Sequence, residues 1–429
     1  MDRPEVRAPP HAILAAMMRL SARRGRPLAV LVFLAVLVVT VAALVGVAQG
    51  SSSTTALPTK PTRSVSFTVD ADDLGGFALD APKISSPSAI VINMGTGRVL
   101  YEWDAYVRRP MASTTKIMTA VLVLEQMDLS KSIRISEKVA ATYEPKVWLR
   151  TGDVLTVEQL LYALMVRSAN SAAVALAEAC FGSVEAFVEE MNAKAAELGM
   201  KDTHFANPHG LDAEDHYSTA ADMAVVARYA MKDPIFQRLV STEEYSVSVG
   251  GRDEPIVFKN TNALLGRFDW VTGVKTGLTP RAEQCLVCSG TLDGVSIISV
   301  VLGQPASEVC WTESRTLMEY GFAQYRHVTL LEEGAVVAEA EVPYQIDSVV
   351  RLVTATPTEL ELYKSDSVTA SIVVDRDLTL PVSQGEVFGH VFMTIDGEVL
   401  ETIDLVADKS FEKTTLGGKI TYLFRRLGN

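Results

Sequence analysis

A chain of 429 residues that is 48% hydrophobic and 21% charged has room for two cored domains plus appendages, which excludes a largely disordered protein. Its formal net charge of −13 argues against nucleic acid as a partner. Residues 1–26 nevertheless carry six Arg against Asp2 and Glu5, a net of +4, leaving −17 for the remainder.

That basic tail precedes Pro27–Ala48, which contains no charge and only Thr40 as a polar residue. About 22 residues at about 1.5 Å each give roughly 33 Å, enough for a hydrocarbon core of about 30 Å. The expectation is an uncleaved membrane anchor over residues 27–48, its amino end cytoplasmic and the rest of the chain outside. A cleavable signal is the rival reading, since Gly46-Val47-Ala48 offers small residues to a signal peptidase. The apolar run exceeds the roughly 7–15 residues of such signals, which favours the anchor. Residues 49–83, rich in Ser, Thr and Pro, read as an extracytoplasmic linker.

A folded domain is expected over 84–325. It opens with a β-hairpin, Ala89–Asn93 and Arg98–Glu102 around Met94-Gly95-Thr96-Gly97. The stretch Met111–Leu124 then places Ser113 at a helix start, in the capping position, with Lys116 about one turn on. Burial near the positive end of a helix depresses a lysine pKa, and a neutral lysine can deprotonate a serine. Taken alone, Ser-x-x-Lys also fits an ordinary cap followed by a solvated lysine. Helical periodicity runs from Thr115 to about Leu239, with Ser168-Ala169-Asn170 between two apolar helical runs. Strands follow at Ser246–Phe258, Val271–Thr276, Glu283–Ser289 and Val295–Leu302, then a helix at 307–320. Lys275-Thr276-Gly277 ends the second of these strands. Strands at both ends with helices between imply one sheet built from distant segments, an α/β (α+β) domain. From 326 to 408 short alternating strands with frequent turns predict a small all-β domain, and 409–429 is a basic amphipathic tail that either touches anionic lipid or is solvated.

Four cysteines supply no metal site: Cys285-x-x-Cys288 finds no second pair at ligand spacing, and Cys180 and Cys310 fall in helices. Core packing is the default for them, with a disulfide open outside the membrane. No Gly-x-Ser-x-Gly elbow is present, and His204, His209 and His216 read as structural hydrogen-bonding residues of a loop.

The ordered trio Ser113-x-x-Lys116, Ser168-x-Asn170 and Lys275-Thr276-Gly277 carries the signature of penicillin-binding enzymes. With Arg109-Pro110-Met111-Ala112, Leu160–Arg167, Thr203–Leu211, His216–Ala220 and Asn260–Leu265, the chain resembles the D-alanyl-D-alanine carboxypeptidases from about Pro82 to Val406. The resemblance implies a β-lactamase/transpeptidase-like sheet with a helical cluster, followed by a small β-sandwich. It implies removal of the terminal D-alanine of peptidoglycan stem peptides through an acyl-enzyme, without a cofactor, and covalent inhibition by β-lactams. Ser113 would be the nucleophile, Lys116 its base and Ser168 the proton relay to the leaving amine. Asn170, Lys275, Thr276 and Gly277 would bind substrate, and the N–H of Leu278 would complete the oxyanion hole. The chain departs from the family pattern at Ser171 (commonly Asp), Leu278 (an aromatic residue or His), Glu283 (Gly) and Cys310 (an Arg near the substrate carboxylate), which also opens the readings of a weakly hydrolytic penicillin-binding homologue or a related endopeptidase or β-lactamase.

Overall fold

The computed structural model describes residues 63–75, 77, 80–144, 149–345 and 348–427. The expected basic tail 1–26 and anchor 27–48 lie outside the described residues. Among the described residues two compact units are formed, one within Ala78–Gln324 and the other from those up to Phe77 together with those from Tyr325 onward.

The Ala78–Gln324 unit is organised on a five-stranded antiparallel sheet in the order Val99–Trp103, Ser88–Asn93, Val295–Gln304, Glu283–Leu292, Val271–Thr279. Ser88–Asn93 is buried along its whole length, as a strand covered on both faces must be, and its Ala-Ile-Val-Ile run meets that demand. The helix Ser307–Phe322 lies close on the sheet: a Cβ added to Gly321 would come within 2.7 Å of Ile297 and 2.9 Å of Val91. The helical cluster is centred on Lys116–Gln126, buried from Lys116 through Val123. Its neighbours include Val157–Met165, whose Thr156 and Gln159 form a reciprocal capping box, and Asn170–Phe181. The single strand expected over Ser246–Phe258 is instead a hairpin, Glu244–Val247 with Ile256–Lys259. Gly251, at φ 81°, reverses the chain between them.

The other unit is all-β. Its six-stranded sheet runs Arg63–Asp70, Ser367–Val374, Val387–Ile395, Glu398–Ala407, Val349–Thr354, Val336–Glu341, beside a two-stranded ribbon of Tyr325–Thr329 and Glu359–Tyr363. Alternating residues such as Leu352, Leu362, Val391, Ile403 and Leu405 fill its core. Asp396-Gly397, both at positive φ, make the tight turn between Val387–Ile395 and Glu398–Ala407. The linker expected over 49–83 is corrected in its described part. Arg63–Asp70 is an edge strand paired along its length with Ser367–Val374; Val65, Phe67 and Val69 alternate with polar residues at the two-residue period of a strand, and of these Phe67 and Val69 turn toward the core while Val65 is exposed. In the tail, Leu416–Leu427 is helical.

Candidate active site

Ser113 lies in one 3-10 turn, Ala112–Thr115, that runs into the helix Lys116–Gln126. Its reading as a helix cap is corrected: the capping positions are Met111 and Thr115, and neither makes a side-chain capping bond. Ala112 is held at φ 47°, a left-handed conformation that disfavours a Cβ. Three contacts hold the turn there. Thr115 donates its hydroxyl to the Ala112 carbonyl (2.7 Å), and Thr114 donates to that of Met111 (2.6 Å). His216 Nδ1 accepts the Ala206 N–H (3.0 Å), so the neutral ring carries its proton on Nε2 and donates it to Thr115 Oγ1 (2.8 Å). Burial, foremost, keeps that ring uncharged by lowering its pKa to about 4. Gly210 closes the turn from behind; any Cβ there would sit 1.9 Å from the Ala112 oxygen.

Lys116 is 0% exposed, and its Nζ lies 2.8 Å from Ser113 Oγ, 2.8 Å from Asn170 Oδ1 and 2.6 Å from the His209 carbonyl oxygen. Desolvation, then the nearby Lys275, holds its pKa well below the usual lysine value, against an opposing pull from Glu144. A neutral amine has two hydrogens and one lone pair. Asn170 Oδ1 and the His209 carbonyl can only accept, so they occupy both hydrogens and the lone pair is left for the Ser113 hydroxyl. The Asn170 amide is oriented by its Nδ2, which donates to the Tyr143 carbonyl at 2.8 Å.

Ser168 sits two residues ahead of Asn170 at φ 66°, a conformation costing a non-glycine residue about 1–3 kcal/mol. On the strand Val271–Thr279, Lys275 is 1% exposed and donates to the Thr276 carbonyl at 3.0 Å; burial brings its pKa down to about 7. Thr276 shares a 2.6 Å hydrogen bond with the Thr261 hydroxyl. Gly277 packs against the serine turn: a Cβ would lie 3.0 Å from Ala112 Cβ and 3.1 Å from the Ser113 nitrogen, so glycine leaves the space in front of that N–H open. The Leu278 side chain is 63% exposed.

Two positions flagged as departures have physical signatures. Glu283 adopts φ 57°, where glycine is the comfortable residue. Cys310 is buried on the helix Ser307–Phe322, its thiol pushed up to about 12 by that burial. All four cysteines are free thiols, and among the described residues no group of three or more His, Cys, Asp or Glu side chains gathers to hold a metal. Arg281 donates to the Ala213 carbonyl (3.2 Å), and its backbone N–H to Asp212 (3.2 Å). His216 has the structural hydrogen-bonding role its loop position suggested, whereas the His209 carbonyl, the Glu144 carboxylate and the Tyr143 carbonyl were not foreseen. The two carbonyls act through backbone oxygens that no residue type announces, and Glu144 lies 26 residues from the helix start it caps.

A family model described as D-alanyl-D-alanine carboxypeptidase matches residues 76–306, more than half of the chain, and a second, described as the C-terminal domain of penicillin-binding protein 5, matches 325–413. The D-alanyl-D-alanine carboxypeptidase DacF of Bacillus subtilis is 33% identical over 350 residues, spanning 80% of this chain and 89% of that one. DacA of Escherichia coli is 30% identical over 363 residues, 79% and 87% of the two chains. Among solved structures, the DD-transpeptidase of Streptomyces K15 superposes with a TM-score of 0.55 at 35% identity, covering 57% of this chain and all of its own. The carboxypeptidase DacD of Francisella tularensis gives a TM-score of 0.55 at 26% identity, with 78% and 95% coverage. Fold and matches together define a penicillin-binding serine hydrolase. The chain belongs to the D-alanyl-D-alanine carboxypeptidase family.

Proposed function

We propose that Ser113 is the nucleophile and Lys116 the general base of a carboxypeptidase that removes the terminal D-alanine from peptidoglycan stem peptides. The observation that carries this reading is the pair of acceptors on Lys116, which turns its lone pair toward the serine hydroxyl. Ser113 Oγ attacks the carbonyl carbon of the penultimate D-alanine as its proton passes to Lys116. The oxyanion forms against the N–H groups of Ser113 and Leu278, each such donor contributing about 2.7–4 kcal/mol. Ser168 passes a proton to the departing amine, the terminal D-alanine leaves, and water then hydrolyses the ester on Ser113 to regenerate the hydroxyl. Lys275 and Thr276 take the substrate's terminal carboxylate, while Gly277 keeps the approach to the Ser113 N–H clear. A β-lactam, which also carries an amide carbonyl and a carboxylate, enters the same path and stops at the ester.

The decisive experiment incubates the full-length chain in detergent with a fluorescent penicillin and, separately, with a diacyl-Lys-D-Ala-D-Ala tripeptide. Label mapped to Ser113 and release of D-alanine are expected. Label on Ser168, or label surviving Ser113→Ala, would overturn the assignment.

We further propose that the protein is held in the bacterial membrane as a single-pass protein with its amino end cytoplasmic. The uncharged run Pro27–Ala48 behind a basic tail supports this. Among the described residues no single helix is long and apolar enough to cross a membrane. The helix Leu416–Leu427 exposes Leu416, Ile420, Leu423 and Phe424 alongside Lys419, a composition suited to a membrane surface. Fractionation with amino-terminal sequencing tests the anchor: a mature chain beginning near Gln49 would refute it.

A further inference from the structure

We infer that Glu144 is a positioning residue for the Ser113–Lys116 pair, acting through Asn170; the inference rests on the assignment of those two residues as nucleophile and base.

The helix Asn170–Phe181 starts without a cap of its own, because Ala169, at its capping position, has no side-chain oxygen to offer. Glu144 supplies that cap from 26 residues earlier in the chain. Its Oε2 accepts the N–H of Asn170 at 2.9 Å and that of Ser171 at 3.4 Å, and its Oε1 accepts the Ser171 hydroxyl at 2.6 Å. The adjoining Tyr143 carbonyl takes the Asn170 amide N–H at 2.8 Å. Two consecutive residues therefore fix both the backbone and the amide sense of Asn170.

That sense matters to the chemistry. With Oδ1 toward Lys116, Asn170 takes one amine hydrogen and the lone pair stays on the serine side. A swung or reversed amide would point its NH2 at the lysine nitrogen and compete with the Ser113 hydroxyl for the same lone pair. Glu144 touches neither Ser113 nor Lys116 through any hydrogen bond, so it orders the base without handling a proton. Its charge also opposes the burial that lowers the Lys116 pKa.

The test measures the rate of acylation by a fluorescent penicillin against pH for the full-length wild type, Glu144→Gln, Glu144→Ala, and Glu144→Ala combined with Ser171→Asp. Thermal melts confirm folding. Besides Glu144, the titratable groups facing Lys116 are Lys275, His209 and His216. Glu144→Ala is expected to lower the plateau rate roughly ten- to a hundredfold, the scale of loss when a reacting group is misplaced. Glu144→Gln keeps one oxygen for the Asn170 N–H and gives its NH2 to Ser171 Oγ. It should hold the plateau within about threefold, a small fraction of the alanine loss, while the acid limb moves to lower pH, because the carboxylate that favours the Lys116 ammonium is gone. Ser171→Asp returns a carboxylate to the same helix start and should recover most of the rate. Wild-type plateau and acid limb in both Glu144 variants would overturn the inference, as would a loss that glutamine does not spare and Ser171→Asp does not repair. If the alanine variant does not fold, Glu144→Asp takes its place: it keeps the charge but is one methylene short of the Asn170 and Ser171 contacts, and an unchanged plateau would overturn the inference. A wild type that labels anywhere but Ser113 would sink the assignment underneath, whereas normal wild-type labelling with indifferent Glu144 variants sinks only this inference.

Discussion

Two lysines of this unit are almost completely buried, and their surroundings make different reagents of them. Lys116, at the start of a helix, is enclosed by three oxygens, two of which fix its hydrogens. Lys275, on a strand, has the Thr276 carbonyl as its hydrogen-bond acceptor and a pKa near 7. The first is suited to stay neutral and accept a proton; the second, its pKa brought down to about 7 by burial, is favoured in its charged form by an arriving carboxylate. Burial alone therefore does not make a base. The acceptor set around the amine decides which way its lone pair faces.

The comparison breaks first, and hardest, at Lys116. Lys116→Ala is expected to cut penicillin acylation by about 10²–10⁴, the usual contribution of a general base. Lys275→Ala should cost only about ten- to a hundredfold in kcat/KM for the peptide, the worth of one charge-assisted hydrogen bond of about 1.5–3 kcal/mol. Equal losses from the two substitutions would erase the distinction.

A pH profile sharpens it. Lys275 in the free enzyme loses its proton as pH rises through about 7, so kcat/KM for the tripeptide should fall on that side, while the acid limb belongs to Lys116, whose pKa burial holds well below the ordinary lysine value. Lys275→Arg keeps the charge at all these pH values and should remove the alkaline fall. If the fall persists in that variant, another group binds the carboxylate.

A smaller effect is expected at Cys310. If this position faces the carboxylate end of the cleft, Cys310→Arg should raise D-alanine release several-fold by adding a charge-assisted hydrogen bond, with little change in penicillin capture. Unchanged turnover in a folded variant would show that the buried thiol points away from the cleft and that Lys275 acts there without it.

The smallest is a stability effect at His216. Its folded pKa of about 4 lies below the ordinary 6.5, so its contribution is complete above about pH 6.5 and is lost as pH falls toward 4. His216→Asn should flatten the fall of the melting temperature across that window; an unchanged slope would assign the acid sensitivity elsewhere.

The serine, the lysine one turn on, the Ser-x-Asn and the Lys-Thr-Gly strand were all legible, because each is a short local pattern with a chemical reason. So were the central strands, whose apolar runs have the length of buried strands. What escaped was non-local. The role of His209 is played by its carbonyl, and Glu144 caps a helix whose own sequence offers no cap. The edge strand Arg63–Asp70 escaped for a related reason: eight alternating residues amid Ser and Thr look like a tether until their partner is known to lie some three hundred residues later.

That strand sets a timetable for the chain. Thr68 and its partner Thr369 are separated by 301 residues, with the whole of the Ala78–Gln324 unit encoded between them. At a synthesis rate of about 5–20 residues per second, roughly 15–60 s pass between the emergence of the two strands. The peptidase unit has that interval to fold by itself while the first strand of the β unit waits with an unpaired edge. A nascent chain released early would thus carry a finished peptidase unit and an orphaned strand.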